Sequence, residues 1–434
     1  MSHFGILSFP GTGHLYPLTA LGRELARRDH KVTIFQVGDV EYLVRAAGLR
    51  FHQIGTQDFL LGTLRVLDEK LSRLDGPEAM DFVFERIHRN SQIVLRDAPN
   101  AIRSQGIDAV IVDQAEPAGG SVADHLGLPF VTAILTLPLS GHSGFPFFGF
   151  RTESEWGGDA RGQSVTGNSR LRLIQLRILA LINRQRARWG LQPKAGLNSC
   201  DSQLAQIAQV PAGFDLPACK LPSYFHYTGP FFDAGGRREI NFPWSQLDPS
   251  RPLVFVSMGT LQNGIERVFR IIAEACADLP VQTVISLGGG LSSEVFDELP
   301  GNPIVVRYAP QLALLSRAAL TIFHGGLNTA LESLAYGVPM IAIPITFDQP
   351  GVGKRLVRTG TGRMIPIREL TAKRLRIEMW EALTNKQYRA NAKLLQKQIS
   401  VRNGVTWAAD IIEPVLKRGV SHVALRSDDA IASL

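Results

Sequence analysis

The chain has only three cysteines in 434 residues, Cys200, Cys219 and Cys276, and no two stand at metal-ligand spacing. That excludes a disulfide framework and a cysteine zinc site, and it reads as reduced structural thiols in a cytoplasmic protein. No uncharged apolar stretch reaches the ~18 residues that would span a membrane. The opening "MSHFGILSFPG" lacks a basic segment and runs straight into an apolar strand pattern, so no secretory leader is expected. Lysine and arginine are dispersed and the formal net charge is only +7, so a nucleic-acid groove is not indicated. The two halves show no sequence repeat.

What is present is a soluble globular composition, 45% apolar and 20% charged, at a length that predicts two or three domains. "HFGILSFP" (3–10) predicts a buried strand, "HLYPLTALGRELARRD" (14–29) a helix with Pro17 near its first turn, and "HKVTIFQVG" (30–38) a second strand. Strand, helix and strand in so short a span make a βαβ unit with parallel pairing. "GIDAVIVDQ" (106–114) and "LPFVTAILT" (128–136) repeat it around a helix at 117–126. After Pro211 a stretch rich in Pro, Gly and aromatics shows no period and reads as a connection. A second series of apolar runs follows at 252–260, 281–289, 303–310, 319–326 and 338–345, with final helices over about 371–417. The expected fold is α/β, with two Rossmann-like domains facing a cleft. The expected division is 1–216, a connection at 217–250, a second domain at 251–405, and a helix and tail at 406–434 packing back on the first domain.

The turn "GTGH" after the first strand suggests a dinucleotide site, but G-x-G-x-x-G would need glycine where Tyr16 stands. The second strand also ends "TIFQVG", without an acidic tip for a ribose. What remains is His14, presented by a glycine turn at the carboxyl edge of a parallel sheet. Asp113 ends another strand of the same domain. A carboxylate on one imidazole nitrogen fixes the tautomer and leaves the other nitrogen to take a proton from a hydroxyl. The competing reading of Asp113 is a cap on the following helix.

The stretch "FHGGLNTALESLAYGVPMIAIPITFDQP" (323–350) carries more. After a strand, His324, Gly325 and Gly326 turn tightly, and a helix starts near Asn328 and Thr329. Glycines admit a phosphate to the backbone, and a helix start offers free N–H groups. This is an anion site that needs no metal. Thr329 and Glu332 also fit a capping box, which competes with a ligand role for Glu332. Asp348 and Gln349 follow another strand and suit sugar hydroxyls.

These residues, with "YAPQLALL", "FPGTGHLYP", "VSMGT" and "FHYTGP", resemble the family 1 UDP-glycosyltransferases of GT-B fold over most of the chain. The branch of bacterial zeaxanthin and macrolide glycosyltransferases is the most similar. The resemblance implies a UDP-sugar co-substrate, no further cofactor, no metal, and an inverting transfer to a hydroxyl. It implies His14 as general base and Asp113 as its orienting partner. His324, Gly326, Asn328 and Thr329 would hold the diphosphate, Ser257, Gly259 and Thr260 the loop beside it, and Glu332 the ribose. Tyr308 and Gln311 belong to the same donor site. Asp348 and Gln349 would hold the sugar, and Gln349 favours glucose. Tyr308 and Leu327 stand where relatives carry tryptophan.

"LTLPLSGHSGFPFFGF" (135–150) is apolar and glycine-broken. Leu137, Phe145, Phe147 and Phe148 are expected to line a pocket for a hydrophobic acceptor such as a carotenoid, terpenoid, polyketide or flavonoid, or else simply to pack the domain. In 169–191, Leu171, Ile174, Ile178, Leu181 and Ile182 recur at helical spacing among six arginines. Either this helix packs on the domain, or it is a lid or touches a membrane surface, making a cytoplasmic enzyme peripheral. Two rival classes share the architecture: a nucleotide-sugar epimerase or hydrolase, and a non-catalytic sugar-nucleotide binder.

Overall fold

The computed structural model describes residues 1–138, 169–215, 221–233, 235, 237, 239–292, 296 and 298–416. The five residues HFGIL form β1 (His3–Leu7), wholly buried. Alternate side chains serve opposite faces: Phe4 and Ile6 enter one hydrophobic cluster and Leu7 another. In α1 (Thr12–Arg27), Leu15, Leu18, Leu21 and Leu25 form the stripe that packs on the sheet. Then come β2 (Lys31–Gln36), α2 (Glu41–Ala46), β3 (Arg50–Gln53), α3 (Thr63–Leu71), α4 (Gly76–Gln105), β4 (Ala109–Asp113), α5 (Gly119–Leu126), β5 (Phe130–Ile134), α6 (Ser169–Arg188), β6 (Gln206–Ala208), α7 (Ala212–Asp215) and β7 (Phe225–Tyr227).

These seven strands form one parallel sheet in the order β3-β2-β1-β4-β5-β6-β7. The order reverses between β1 and β4, and open α/β sheets bind ligands at such a point. Leu7 pairs with Val112, so the chain leaves the sheet at Ser8 and at Asp113 side by side.

The second sheet is built from β8 (Leu253–Ser257), α8 (Glu266–Ala277), β9 (Gln282–Ser286), β10 (Ile304–Val306), α9 (Gln311–Leu315), β11 (Ala318–Phe323), α10 (Leu327–Ala335), β12 (Met340–Ala342), α11 (Gln349–Thr359) and β13 (Gly362–Met364), with α12 (Ala372–Thr384) and α13 (Lys386–Val401) following. Its order is β10-β9-β8-β11-β12-β13, all parallel. It reverses between β8 and β11, where Ser257 pairs with Phe323. His324 therefore leaves this sheet at the equivalent point.

Several elements differ from expectation. The first strand ends at Leu7 and α1 begins at Thr12, so His14 lies in the first turn of a helix, not in a free glycine turn. The stretch read as an aperiodic connection contains α7 and β7, the edge strand of the first sheet. Three residues are too few to show a period of two. A helical segment at 404–416 packs Val405, Ala408, Ala409, Ile412 and Leu416 into the cluster around α1. There Arg28 bonds Asp410 and the Thr406 carbonyl, and His30 bonds Glu413. Cys200 and Cys276 are buried free thiols, pushed up by burial to about 12 and about 11.

α6 lies against α4, with Ile174, Ile178 and Ile182 in the cluster under it. Arg186 is buried and bonds the Gln192 carbonyl, Ser121 and Asp124. The helix thus packs on the domain, while Leu173, Leu176, Arg184 and Arg188 face outward.

Candidate active site

His14 Nδ1 lies 2.8 Å from Asp113 Oδ2. Asp113 is buried and also accepts from the backbone N–H of Phe9 (3.2 Å) and of Ala115 (2.9 Å). Its Oδ1 holds the local turn and its Oδ2 holds His14, so it shapes the chain and orients the ring at once. It does not cap α5, which starts only at Gly119. With the carboxylate accepting at Nδ1, Nε2 is the basic nitrogen. The Phe9 ring meets the imidazole edge to face at 5.5 Å and fixes its plane.

Burial alone would lower the His14 pKa, but the Asp113 charge and hydrogen bond, helped by Asp348, raise it above the ordinary imidazole value. Next to Asp113, Glu116 bonds Asn90 Nδ2 (2.5 Å), Ser91 Oγ (2.8 Å) and the Ala118 N–H (3.2 Å). Burial pushes Glu116 up to about 8. It is therefore mostly protonated at pH 7 and adds little second negative charge behind the pair.

Asp348 comes from the other domain. It is buried at the start of α11, and its Oδ2 accepts from the Leu137 backbone N–H at 3.3 Å. Burial raises its pKa, against the Leu137 bond and the nearby His14. His14 and Asp348 thus face each other across the interdomain cleft. Leu137 itself differs from expectation. Its side chain is sealed among Val210, Phe214, Phe323 and Leu327, so it joins the two domains and offers no surface to an acceptor. Phe145, Phe147 and Phe148 lie outside the described residues.

The expected anion-binding residues gather at the start of α10. Gly326 is its N-cap residue and provides no side-chain cap, so Thr329 lies inside the first turn and the capping-box reading fails. The His324 ring is wedged between two glycines. A Cβ on Gly326 would stand 2.4 Å from Nε2, and one on Gly259, at φ +76°, 2.6 Å from Cε1. Burial lowers the His324 pKa to about 4, with the Ser257 backbone opposing, so the ring is neutral. Its Nδ1 is buried without a hydrogen-bond partner. The ring thus stands beside the start of α10, where the first backbone N–H groups lack intrahelical acceptors. Thr260 Oγ1 meets Thr12 Oγ1 at 2.9 Å across the cleft. Asn328 Nδ2 donates to the Gly13 carbonyl at 2.7 Å, and its Oδ1 accepts from Gln209 Nε2 at 2.8 Å.

Glu332 stands on the next turn of α10. Gln311 Nε2 donates to it at 2.6 Å, and Arg237 pairs with both of its oxygens. Sequence reasoning missed Arg237, whose signal is only the basic pair in "GGRRE" within a stretch taken for a connection. The Glu332 carboxylate is thus held by a guanidinium and an amide at once. Tyr308 is half exposed past the tip of β10, its hydroxyl against Gly289.

Gln349 is held by its own loop. Its Oε1 accepts from the backbone N–H of Ile345 (2.8 Å) and Thr346 (2.9 Å), and its Nε2 donates to Gln262 Oε1 (2.9 Å). The amide braces its own loop. Among the described residues, no three His, Cys, Asp or Glu side chains gather into a group that could hold a metal ion.

Residues 244–400 match the family model of UDP-glucoronosyl and UDP-glucosyl transferase, and 6–133 that of the glycosyltransferase family 28 N-terminal domain. A zeaxanthin glucosyltransferase of Pantoea ananas is 34% identical, covering 96% of this chain and 97% of the relative. Another from Pseudescherichia vulneris is 31% identical, covering 96% and 98%. A solved calicheamicin glycosyltransferase has the same fold, with a TM-score of 0.73 at 22% identity over 96% of this chain and 99% of the other. With both domains matched and near full-length relatives at this identity, the chain belongs to the UDP-glucuronosyl and UDP-glucosyl transferase family, as a GT-B glycosyltransferase of the bacterial zeaxanthin glucosyltransferase-like branch.

Proposed function

We propose that the enzyme transfers glucose from UDP-glucose, with inversion, to a hydroxyl of a hydrophobic small molecule of the carotenoid, terpenoid, polyketide or flavonoid kind. The observation that carries this is the 2.8 Å His14–Asp113 pair facing Asp348 across the cleft. The acceptor hydroxyl gives its proton to His14 Nε2, and its oxygen forms the new bond to the anomeric carbon. The bond from that carbon to the diphosphate breaks on the opposite face, and UDP leaves with the electron pair. Asp113 stabilises the imidazolium formed. General-base help of this kind contributes roughly 10²–10⁴ in rate.

The leaving diphosphate is met by the α10 N-terminus and His324, which supports a reaction without metal or cofactor. Glucose is favoured by Gln349 at the position glucose users share and by the names of the two relatives. The amide of Gln349 would act on the sugar only through the second N–H of Nε2. The outward face of α6 supports a salt-sensitive peripheral contact with a membrane, for an enzyme otherwise in the cytoplasm.

The test is incubation with UDP-glucose and a panel of hydrophobic alcohols, with and without EDTA, read by mass spectrometry. The reading expects a glucoside of inverted configuration that survives chelation, and its loss in His14→Ala with UDP binding retained. Free glucose or an epimer without a glucoside would assign the protein to a hydrolase or epimerase.

A further inference from the structure

Phe347 has φ +57°, a left-handed backbone that a bulky side chain rarely adopts. It immediately precedes Asp348. Residues in such conformations persist where their surroundings over-determine them, and they gather at functional sites. Here three contacts do so. The Phe347 ring leaves its own domain and packs against the first domain's hydrophobic cluster, which contains Met80 and Phe84 of α4. Thr346 Oγ1 donates to the Gly76 carbonyl at the start of the same helix, at 3.2 Å. Gln349 holds the loop from within and is tied to Gln262, whose Nε2 reaches the Leu74 carbonyl at 3.0 Å. The Gly264 N–H adds a bond to the Ser72 carbonyl. Residues 72–76 of one domain are thus clasped by 262–264 and 346–347 of the other, with Asp348 next along the chain.

We propose that Phe347 is a positioning residue: docked on the first domain, it twists the backbone so that Asp348 is turned into the cleft toward His14 only when the two domains are clasped together. This rests on the reading of His14 as the base and adds to it the coupling of domain contact to sugar-site geometry. Relaxed to an ordinary β or helical φ, the chain at 347 would carry the Asp348 carboxylate away from the Leu137 N–H and from the imidazole.

The experiment compares Phe347→Ala, Phe347→Gly and Phe347→Met with Asp348→Asn and the unmutated enzyme. Glycine accepts φ +57° without strain but has no ring to dock, so it separates the anchor from the twist. Expected are a fall in kcat for transfer of about tenfold or more in Ala and Gly, with UDP affinity within about threefold, and substantial recovery in Met. The acidic limb of kcat/KM should move to lower pH in Ala and Gly, in the same direction as expected for Asp348→Asn. Near-normal kcat in Phe347→Gly, an unmoved limb, or a loss of UDP affinity matching the loss of kcat would overturn the proposal. If unmutated enzyme makes no glucoside, or His14→Ala keeps making it, the general-base reading fails instead. An inactive His14→Ala beside an active Phe347→Gly would sink only the role of Phe347.

Discussion

Gly13 and Asn328 are joined across the cleft because of a proline. Pro17 lies inside α1 and has no N–H, so the Gly13 carbonyl four residues earlier lacks its helical donor. Asn328 Nδ2, in the first turn of α10, supplies that donor at 2.7 Å. The first turn of the helix that bears His14 is thereby fastened to the first turn of α10. The bond places His14, one residue on, beside the start of α10.

This bond has a measurable worth. A net hydrogen bond contributes about 0.5–1.5 kcal/mol. Asn328→Ala also removes one of the two acceptors of Gln209 Nε2, which keeps the Leu135 carbonyl at 2.6 Å. UDP affinity by calorimetry is expected to fall about 3- to 10-fold on that free energy, with kcat falling at least as much. Pro17→Ala restores a helical N–H that competes for the carbonyl, so a smaller loss in the same direction is expected. Unchanged binding and turnover in Asn328→Ala would show the contact to be incidental.

The pH profile should report His14. Its pKa is raised, because the Asp113 charge and hydrogen bond, with Asp348, outweigh burial. A base must be unprotonated, so kcat/KM should rise with pH and level off only above the ordinary imidazole value of about 6.5. Asp113→Asn removes the charge and leaves burial, so the limb should move to lower pH while the plateau falls by roughly 10²–10⁴. For stability the two histidines have opposite signs. The contribution of His14 is full below about 6.5 and is lost as pH rises through its higher folded value. That of His324, lowered to about 4 by burial, is full above the unfolded value and is lost as pH falls toward 4. The His324 contribution is about 3 kcal/mol. His324→Gln should flatten the decline in Tm between pH 7 and 4, and an equally steep decline would refute the assignment.

A buried ion pair holds the domains together below the site. Arg355 of α11 donates through Nε and Nη2 to Asp215 Oδ1, at 2.9 and 2.6 Å, and both residues are fully buried. Tyr227 Oη also donates to Asp215. Arg355→Ala strands the carboxylate and should cost about 3–5 kcal/mol, read as a lower Tm. Arg355→Met with Asp215→Leu removes both charges and should recover most of that loss. Equal losses in the single and double variants would mean that packing, not charge, is what the pair supplies.

The two strand exits were legible because buried parallel strands announce themselves as apolar runs, and His14, Asp113 and His324 each stand at or just past such a run. The topological reversals that bring His14 beside Asp113, and Ser257 beside His324, turn those separate signals into sites. Residues that act through the fold left no such mark. Arg237 reaches Glu332 from a segment without a period, and Gln262 and Phe347 matter only because the other domain is present. The Gln349 amide oxygen also serves two backbone N–H groups of its own loop, a local use that its place after a strand does not announce. β6 and β7 escaped notice because three residues cannot display alternation.

The basic helix at 169–191 separates into two faces, which makes the membrane question sharper than composition allowed. Arg186 is committed to Asp124 and Ser121, and Arg177 to Glu85. Replacing Arg186 should therefore lower Tm without changing attraction to lipid. Arg184 and Arg188 are exposed, on the side that also exposes Leu173 and Leu176. Each arginine near an anionic surface contributes about 1 kcal/mol at low salt, and the attraction is screened over about 10 Å at 0.1 M. Binding to phosphatidylserine vesicles should be measurable by co-sedimentation at low salt and should fade as salt rises. Arg184→Gln with Arg188→Gln should weaken it by about tenfold or more, while turnover on a water-soluble acceptor stays unchanged. If the unmutated protein stays in the supernatant at low salt, α6 is a packing helix on both counts and the acceptor reaches the cleft by another route.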